Sequence, residues 1–269
     1  MSVRPLAATR VPSAVGVLTL SVALLLCAFT SAPTAASSTE TLEIRGHSQM
    51  LHTYGSRGGE PVIVSSGDGG WVHLGPHIAQ VLAAHGFFVV GFDVKSYLQG
   101  FTSTQGTLRP EDVPADYCAL LEFANRGASV KPVLIGVSEG AGLSILAAAD
   151  RRTHTAAAGV VGIGVPITNE LGWRWRDSLI YITHGVPNEP TFSTLAVIGQ
   201  VAPLPVASIH STHDEFVSQE EARDLLSHAA DPKRLWLVSA SDHRFSDNLA
   251  EFDARLLEAL AWVRGRPSH

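Results

Sequence analysis

The sequence predicts an α/β fold: a mostly parallel central sheet with helices on both faces. Three observations lead there. Continuous apolar runs of strand length recur at Pro61–Ser66, Phe87–Phe92, Pro132–Val137 and Pro205–His210, and such runs suit strands buried on both faces. Amphipathic helical patterns lie between them. One strand-to-helix junction carries Gly136-Val137-Ser138-Glu139-Gly140, a glycine-flanked serine of the kind that marks a sharp turn before a helix.

The elements follow in chain order. Arg4 and Arg10 precede an apolar run from Val15 to Phe29 and a small-residue zone through Ser38. That is the layout of a secretory signal peptide, expected over residues 1–36. The apolar run is shorter than the roughly 20 residues that a spanning helix needs. Cleavage would remove Arg4, Arg10 and Cys27, taking the net charge from −6 to −8. Residues 37–269 are then expected to form one domain in the periplasm or outside the cell. Thr41–Ile44 and Met50–Tyr54 read as short strands, and Pro61–Ser66 as the first buried one. A helix with Leu74, Ile78, Val81 and Leu82 on one face stops at Gly86.

After the strand Phe87–Phe92, residues Lys95–Leu108 read as a loop rich in Thr, Ser, Gly and Gln. A helix over Pro114–Ala124 follows, then the Ser138 strand and helix, then a strand over Ala156–Val165. Residues 166–202 break the rhythm and read as a lid-like insertion. In it, Trp173 and Trp175 would share one strand face and Arg174 and Arg176 the other. Regular structure returns with the strand Pro205–His210 and a helix opened by Ser218 and Glu221, a capping-box spacing. The strand Leu235–Val238 and a last helix with Leu249, Phe252, Leu256, Leu260 and Val263 on one face complete the pattern.

Composition limits the function classes. With 45% hydrophobic and 16% charged residues, the chain of 269 residues is globular. A net charge of −6 leaves no basic footprint for nucleic acid. Two cysteines cannot build a disulfide scaffold, and Cys118 reads as a buried small hydrophobe. His73 and His77, like His210 and His213, lack the partners of a metal site. There is no phosphate loop or dinucleotide fingerprint, so no cofactor and no metal are expected.

The chemistry expected is nucleophilic. A serine hydroxyl needs a base, and a histidine base needs a carboxylate to fix its tautomer. Ser138 is the candidate nucleophile. Asp214 follows the strand Pro205–His210, with Glu215 as the alternative acid. His243 lies between the last strand and the last helix. Serine, acid and histidine in this order, each after a strand, is the arrangement of the α/β-hydrolase fold. Backbone N–H groups of Glu139 and of Asp68 or Gly69 are candidates for an oxyanion hole. The Glu139 side chain reads either as an exposed carboxylate facing a cationic substrate group or as an acid complementing its helix terminus. Trp71, Trp173 and Arg174 are candidate substrate-binding residues, the last two with the alternative of a strand packed on its Trp face.

The stretches Ser66-Gly67-Asp68-Gly69-Gly70-Trp71, Leu82 to Asp93, Leu134 to Ala141 and Ser241-Asp242-His243-Arg244-Phe245 resemble the VirJ/AcvB group of bacterial virulence proteins. The resemblance runs from about Ser65 to the C-terminus, least clearly over 166–202. It implies a periplasmic serine hydrolase of the α/β-hydrolase fold, acting on the aminoacyl ester of aminoacylated phosphatidylglycerol at the membrane surface. The family's elbow tends to carry aromatic residues where this chain has Val137 and Glu139. A soluble esterase or thioesterase, and a non-catalytic periplasmic binding protein, are the alternative expectations.

Overall fold

The structure is a computed structural model that describes Met1, residues 37–174 and residues 189–266. The expected signal peptide, apart from Met1, and Trp175 and Arg176 lie outside the described residues. Strands β1 (Ser37–Ile44) and β2 (His47–Tyr54) form an antiparallel hairpin. They turn at Arg45 and Gly46, both with positive φ (48° and 81°), as a tight hairpin turn requires. β3 (Glu60–Ser65) leads to helix α1 (Leu74–Ala84), β4 (Phe87–Phe92), α2 (Val94–Phe101) and α3 (Val113–Ala124). Then come β5 (Val133–Val137), α4 (Glu139–Ala148), α5 (Arg151–Ala156) and β6 (Gly159–Ile163). A two-stranded ribbon of β7 (Thr168–Glu170) and β8 (Thr191–Ser193) is followed by a single helical turn, α6 (Thr194–Val197). β9 (Val206–Ser211), α7 (Gln219–Ser227), β10 (Lys233–Val238) and α8 (Leu249–Val263) end the fold.

Among the described residues, eight strands form one sheet in the order β1-β2-β4-β3-β5-β6-β9-β10. β1, β2 and β4 pair antiparallel, and every pairing from β4 to β10 is parallel. The side-chain period of two sends successive strand residues to opposite layers. Val62 and Val64 pack with Ile78 and Leu82 of α1 and Phe252 and Leu256 of α8. Ile63 packs in the other layer with Leu120 of α3 and Leu143 of α4. Helices therefore cover both faces, as the uniformly apolar strands require. The order reverses between β3 and β5, and α/β sheets bind ligands outside the carboxyl ends of such strands. The loop after β3 and the Ser138 turn after β5 both emerge there.

Three sequence expectations are corrected. Residues Lys95–Leu108 are not all loop: α2 runs over Val94–Phe101. Asp93 caps it, its Oδ1 accepting the Ser96 N–H at 3.1 Å, and Val94, Tyr97 and Leu98 are buried on one face. The polar composition hid this helical spacing. The strand expected over Ala156–Val165 is shorter, Gly159–Ile163, and Ala156 instead ends the helix α5. The described parts of 166–202 contain the β7–β8 ribbon and α6 rather than a strand through Trp173. The Trp173 N–H instead donates to Thr102 Oγ1 at 3.0 Å.

The turn at Ser138 is packed backbone against backbone. A Cβ on Gly136 would overlap the Gly140 carbonyl oxygen and the backbone of Ala141. One on Gly140 would overlap the carbonyl oxygens of Ser65 and Ser66. These obstacles are backbone, which cannot swing aside. Gly140→Ala is therefore expected to destabilise the protein by about 1–3 kcal/mol or more in urea titration, the usual cost of overpacking. A midpoint equal to that of the unsubstituted protein would contradict this packing account.

Candidate active site

Ser138 sits between β5 and α4 at φ 50° and ψ −119°, a backbone conformation costly for any residue with a Cβ, by about 1–3 kcal/mol. Its N–H donates to the Ile163 carbonyl at 2.8 Å, and its carbonyl accepts the Ala141 N–H at 2.8 Å. Both sides of the turn are thus fastened to regular structure, and the side chain projects from it into a cavity of about 460 Å³. Gly67 closes in behind, its Cβ position 3.5 Å from Ser138 Cβ.

The same cavity is lined by Gly67, Asp68, Gly69, Glu139 and His243. The N–H groups of Asp68, Gly69 and Glu139 have no acceptor among the described residues. They lie in the β3 loop and at the first position of α4, where N–H groups have no partner within the helix. A developing negative charge is favoured at such a terminus.

His243 and Asp214 come from two neighbouring loops at the same sheet edge. His243 Nδ1 lies 2.6 Å from Asp214 Oδ2. Asp214 Oδ1 accepts the N–H groups of Phe216 at 2.9 Å and Val217 at 3.0 Å. Burial would raise the Asp214 pKa, but the hydrogen bond and charge of His243 and the two N–H groups outweigh it and hold it below the ordinary carboxylate value. With the carboxylate ionised, Nδ1 carries the proton and Nε2 keeps its lone pair. His243 is only 8% exposed, and its Nε2 has no hydrogen-bond partner among the described residues.

The glycine at 164 makes this seat. It has φ 56°, and a Cβ there would overlap His243 Cε1. Phe216 meets the His243 ring edge to face, with centroids 5.4 Å apart. Phe245, fully buried against Phe252, anchors the histidine loop in the core. Asp242 shapes its turn, Oδ1 accepting the N–H groups of Arg244 and Ser246. Beneath the acid loop lies His210, fully buried, with Nε2 3.0 Å from the Val217 carbonyl. A carbonyl only accepts, so Nε2 carries the hydrogen; burial lowers the pKa of this ring and keeps it neutral.

Of the alternative acids, Asp214 is on the ring nitrogen, whereas Glu215 Oε2 accepts the His243 backbone N–H at 2.7 Å. The Glu139 side chain is not an exposed carboxylate. It is buried, and its Oε1 accepts the Glu170 N–H at 2.7 Å, tying β7 to α4. Trp71, Trp173 and Arg174 do not line the described cavity. Trp71 fills the space over Gly91, stacks on His52 with centroids 5.0 Å apart and donates Nε1–H to Tyr54 at 3.3 Å. It is a wedge under the β3 loop. Trp173 packs on the core beneath Lys95, whose Nζ lies 4.5 Å from its ring centroid. Arg174 pairs with Glu189 and donates to the Ser103 carbonyl at 2.8 Å. In the sequence Gly164 and Phe216 carry no assigned role, His73 is weighed only as a metal ligand and Arg244 stands only within the resembling stretch, yet all four touch or line this site. Gly164 was legible only as one glycine in an apolar run.

Two predictions follow from this geometry. Gly164→Ala is expected to displace His243 and abolish any chemistry that depends on it while leaving the circular dichroism spectrum unchanged; unimpaired activity would contradict the seat described above. Burial, then the charges of Asp68 and Glu170, raise the Glu139 pKa well above its ordinary value of 4.5. The folded state then binds more protons than the unfolded chain, so stability is present below about pH 4.5 and falls as pH rises toward the folded value. Glu139→Gln keeps the acceptor for Glu170 and removes this loss. It should raise Tm at pH 8 and leave it unchanged at pH 4, and a Tm lowered at both would contradict the assignment.

Residues 60–165 match the family model of the bacterial virulence protein VirJ. No curated protein sequence matches the chain. Among solved structures, the α/β hydrolase GrgF from Penicillium sp. sh18 is similar at TM-score 0.63 and 13% identity, covering 86% of this chain and 99% of that one. A membrane phospholipase A, a bacterial virulence factor, is similar at TM-score 0.62 and 11% identity, covering 85% of this chain and 87% of that one. The esterase domain of a Rhodothermus marinus protein is similar at TM-score 0.56 and 19% identity, covering 85% and 98%. Identities this low speak to architecture. Over residues 60–165 the chain is therefore a match to the VirJ bacterial virulence proteins, and its fold is the α/β-hydrolase fold.

Proposed function

We propose that this chain is an exported serine hydrolase that cleaves a carboxylic ester through Ser138, His243 and Asp214. The observation that carries the reading is the buried, unpartnered Nε2 of His243, in a cavity shared with Ser138, on a ring whose other nitrogen is held by Asp214. Buried His210 also leaves one ring nitrogen unpaired, so the unpaired nitrogen counts here because His243, unlike His210, lines the cavity of Ser138; a general base keeps one lone pair for a proton in transit.

The reaction takes two displacements. Ser138 Oγ attacks the ester carbonyl carbon as its proton passes to His243 Nε2. The carbonyl oxygen becomes an oxyanion facing the N–H groups of Glu139 and of Asp68 or Gly69. The carbon–oxygen bond to the alcohol breaks, and the leaving oxygen takes the proton from His243. Water, deprotonated by the same nitrogen, then releases the acyl group and returns Ser138. Asp214 stays ionised, fixes the tautomer and stabilises the imidazolium.

The preferred substrate is aminoacylated phosphatidylglycerol, which yields a free amino acid and the plain lipid. This rests on the resemblance and the VirJ match. Export rests on the leader-like pattern of residues 1–36. The departure at Val137 and Glu139 keeps a small soluble acyl ester as the second substrate class.

The test uses vesicles containing lysyl-phosphatidylglycerol and purified protein from residue 37 onward. Lysine release is expected, absent in Ser138→Ala and lowered about 10⁴-fold in kcat by Asp214→Asn, the scale of tautomer loss in such triads. Release that persists in Ser138→Ala would refute the mechanism. Cleavage of p-nitrophenyl acetate without lysine release would favour the second substrate class.

A further inference from the structure

Most of the hydrogen-bonded N–H groups of the histidine loop are answered from within it. The Ser241 N–H donates to Asp247 Oδ1 at 2.9 Å. Those of Arg244 and Ser246 go to Asp242 Oδ1 at 3.0 and 2.9 Å, and that of Phe245 to the Asp242 carbonyl at 3.2 Å. All these acceptors lie within the loop. The His243 N–H is answered from outside, by Glu215 Oε2 at 2.7 Å.

We infer that Glu215 is a positioning residue, holding the His243 backbone while Asp214 holds its ring, so that the acid loop sets the height of Nε2 over Ser138. This rests on the reading of His243 as the general base. Three consecutive residues grip one histidine: Asp214 on Nδ1, Glu215 on the main-chain N–H and Phe216 on the ring. The two holds do different work. Asp214 alone leaves the imidazole free to swing about its hydrogen bond with the backbone that carries it. Fixing the N–H removes that freedom, and a charged acceptor makes a stronger hydrogen bond than a neutral one. The acid loop is itself fastened below by His210 Nε2–H to the Val217 carbonyl, and His213, whose Nδ1 lies 3.2 Å from the Ala240 carbonyl, adds a second link between it and the start of the histidine loop. The clamp therefore joins the histidine loop to a fixed platform. Because its carboxylate oxygen accepts from the His243 main-chain N–H and not from the ring, Glu215 serves geometry and not proton transfer. It is exposed, so its substitution spares the core.

The experiment compares Glu215→Ala, Glu215→Gln and Ser138→Ala with the unsubstituted protein. Turnover of p-nitrophenyl acetate, Tm and amide hydrogen exchange at His243 are measured together. In Glu215→Ala, kcat should fall about 10- to 100-fold, the scale on which a misplacement near 1 Å acts. KM and Tm should stay unchanged, and the His243 amide should exchange faster. Glu215→Gln, which still presents an acceptor oxygen, should restore most of kcat and slow exchange again. A Glu215→Ala protein with unchanged kcat and unchanged exchange would overturn the inference. So would a Glu215→Gln protein as impaired as Glu215→Ala, which would assign the carboxylate charge rather than its acceptance. Turnover that survives Ser138→Ala would instead refute the hydrolase reading, and His243 exchange would still report whether Glu215 holds the loop.

Discussion

The architecture hangs on a contact between backbones with no side chain between them. For Ser138 to stand at φ 50°, the start of α4 must press directly on β5 and on the end of β3. That approach exists because Gly136 and Gly140 place nothing between the carbonyls of Ser65, Ser66 and Gly140. Everything on the cavity side follows. The N–H of Glu139 lies at a helix start, the β3 loop runs so near Ser138 that a Cβ added at Gly67 would already touch it, and the carboxyl ends of two strands share one crevice. The strain at Ser138 is held by its hydrogen bond to Ile163 and by α4 behind it. A local cost at the site is offset by the packing of a whole layer.

A second constraint assembles the other half. His243 reaches the crevice from the loop after β10, a stretch with little regular structure of its own. Its position is over-determined: Phe245 in the core, Asp242 within the turn, Gly164 under the ring, Asp214 on Nδ1 and Glu215 on the main chain. These independent contacts converge on a ring whose unpaired nitrogen belongs to a residue lining the cavity of Ser138, a distinction that buried His210, with Nδ1 also unpaired, does not share. The fold alone makes no such distinction, since hydrolase architectures carry many functions. The chemical reading is drawn from Ser138, Asp214 and His243, and the aminoacyl ester rests on the VirJ resemblance.

Much of this is legible in the sequence. Uniformly apolar strands such as Val133–Val137 cannot face water on either side, so a covered parallel sheet was forced. The positions of Ser138, Asp214 and His243 just past strand ends were enough to bring them to one edge. What stayed hidden had physical reasons. α2 was masked by its polar exposed face, although Val94, Tyr97 and Leu98 kept helical spacing. The tryptophans misled because a large aromatic in a glycine-rich loop suits a wedge over Gly91 as well as a substrate wall. Glu139 was assigned to solvent or helix dipole, and only the β7 contact to its carboxylate reveals burial. The division of labour between Asp214 and Glu215 depends on loop conformation, on which linear spacing is silent.

The most direct test of the central claim is the site of covalent capture by a fluorophosphonate, which reacts with an activated serine and not with an ordinary one. Protein from residue 37 onward is labelled and digested, and the adduct is mapped by mass spectrometry. The account predicts a single adduct on Ser138, absent in Ser138→Ala and slowed in His243→Ala. Folded protein that takes no label, or takes it on another residue, would contradict it.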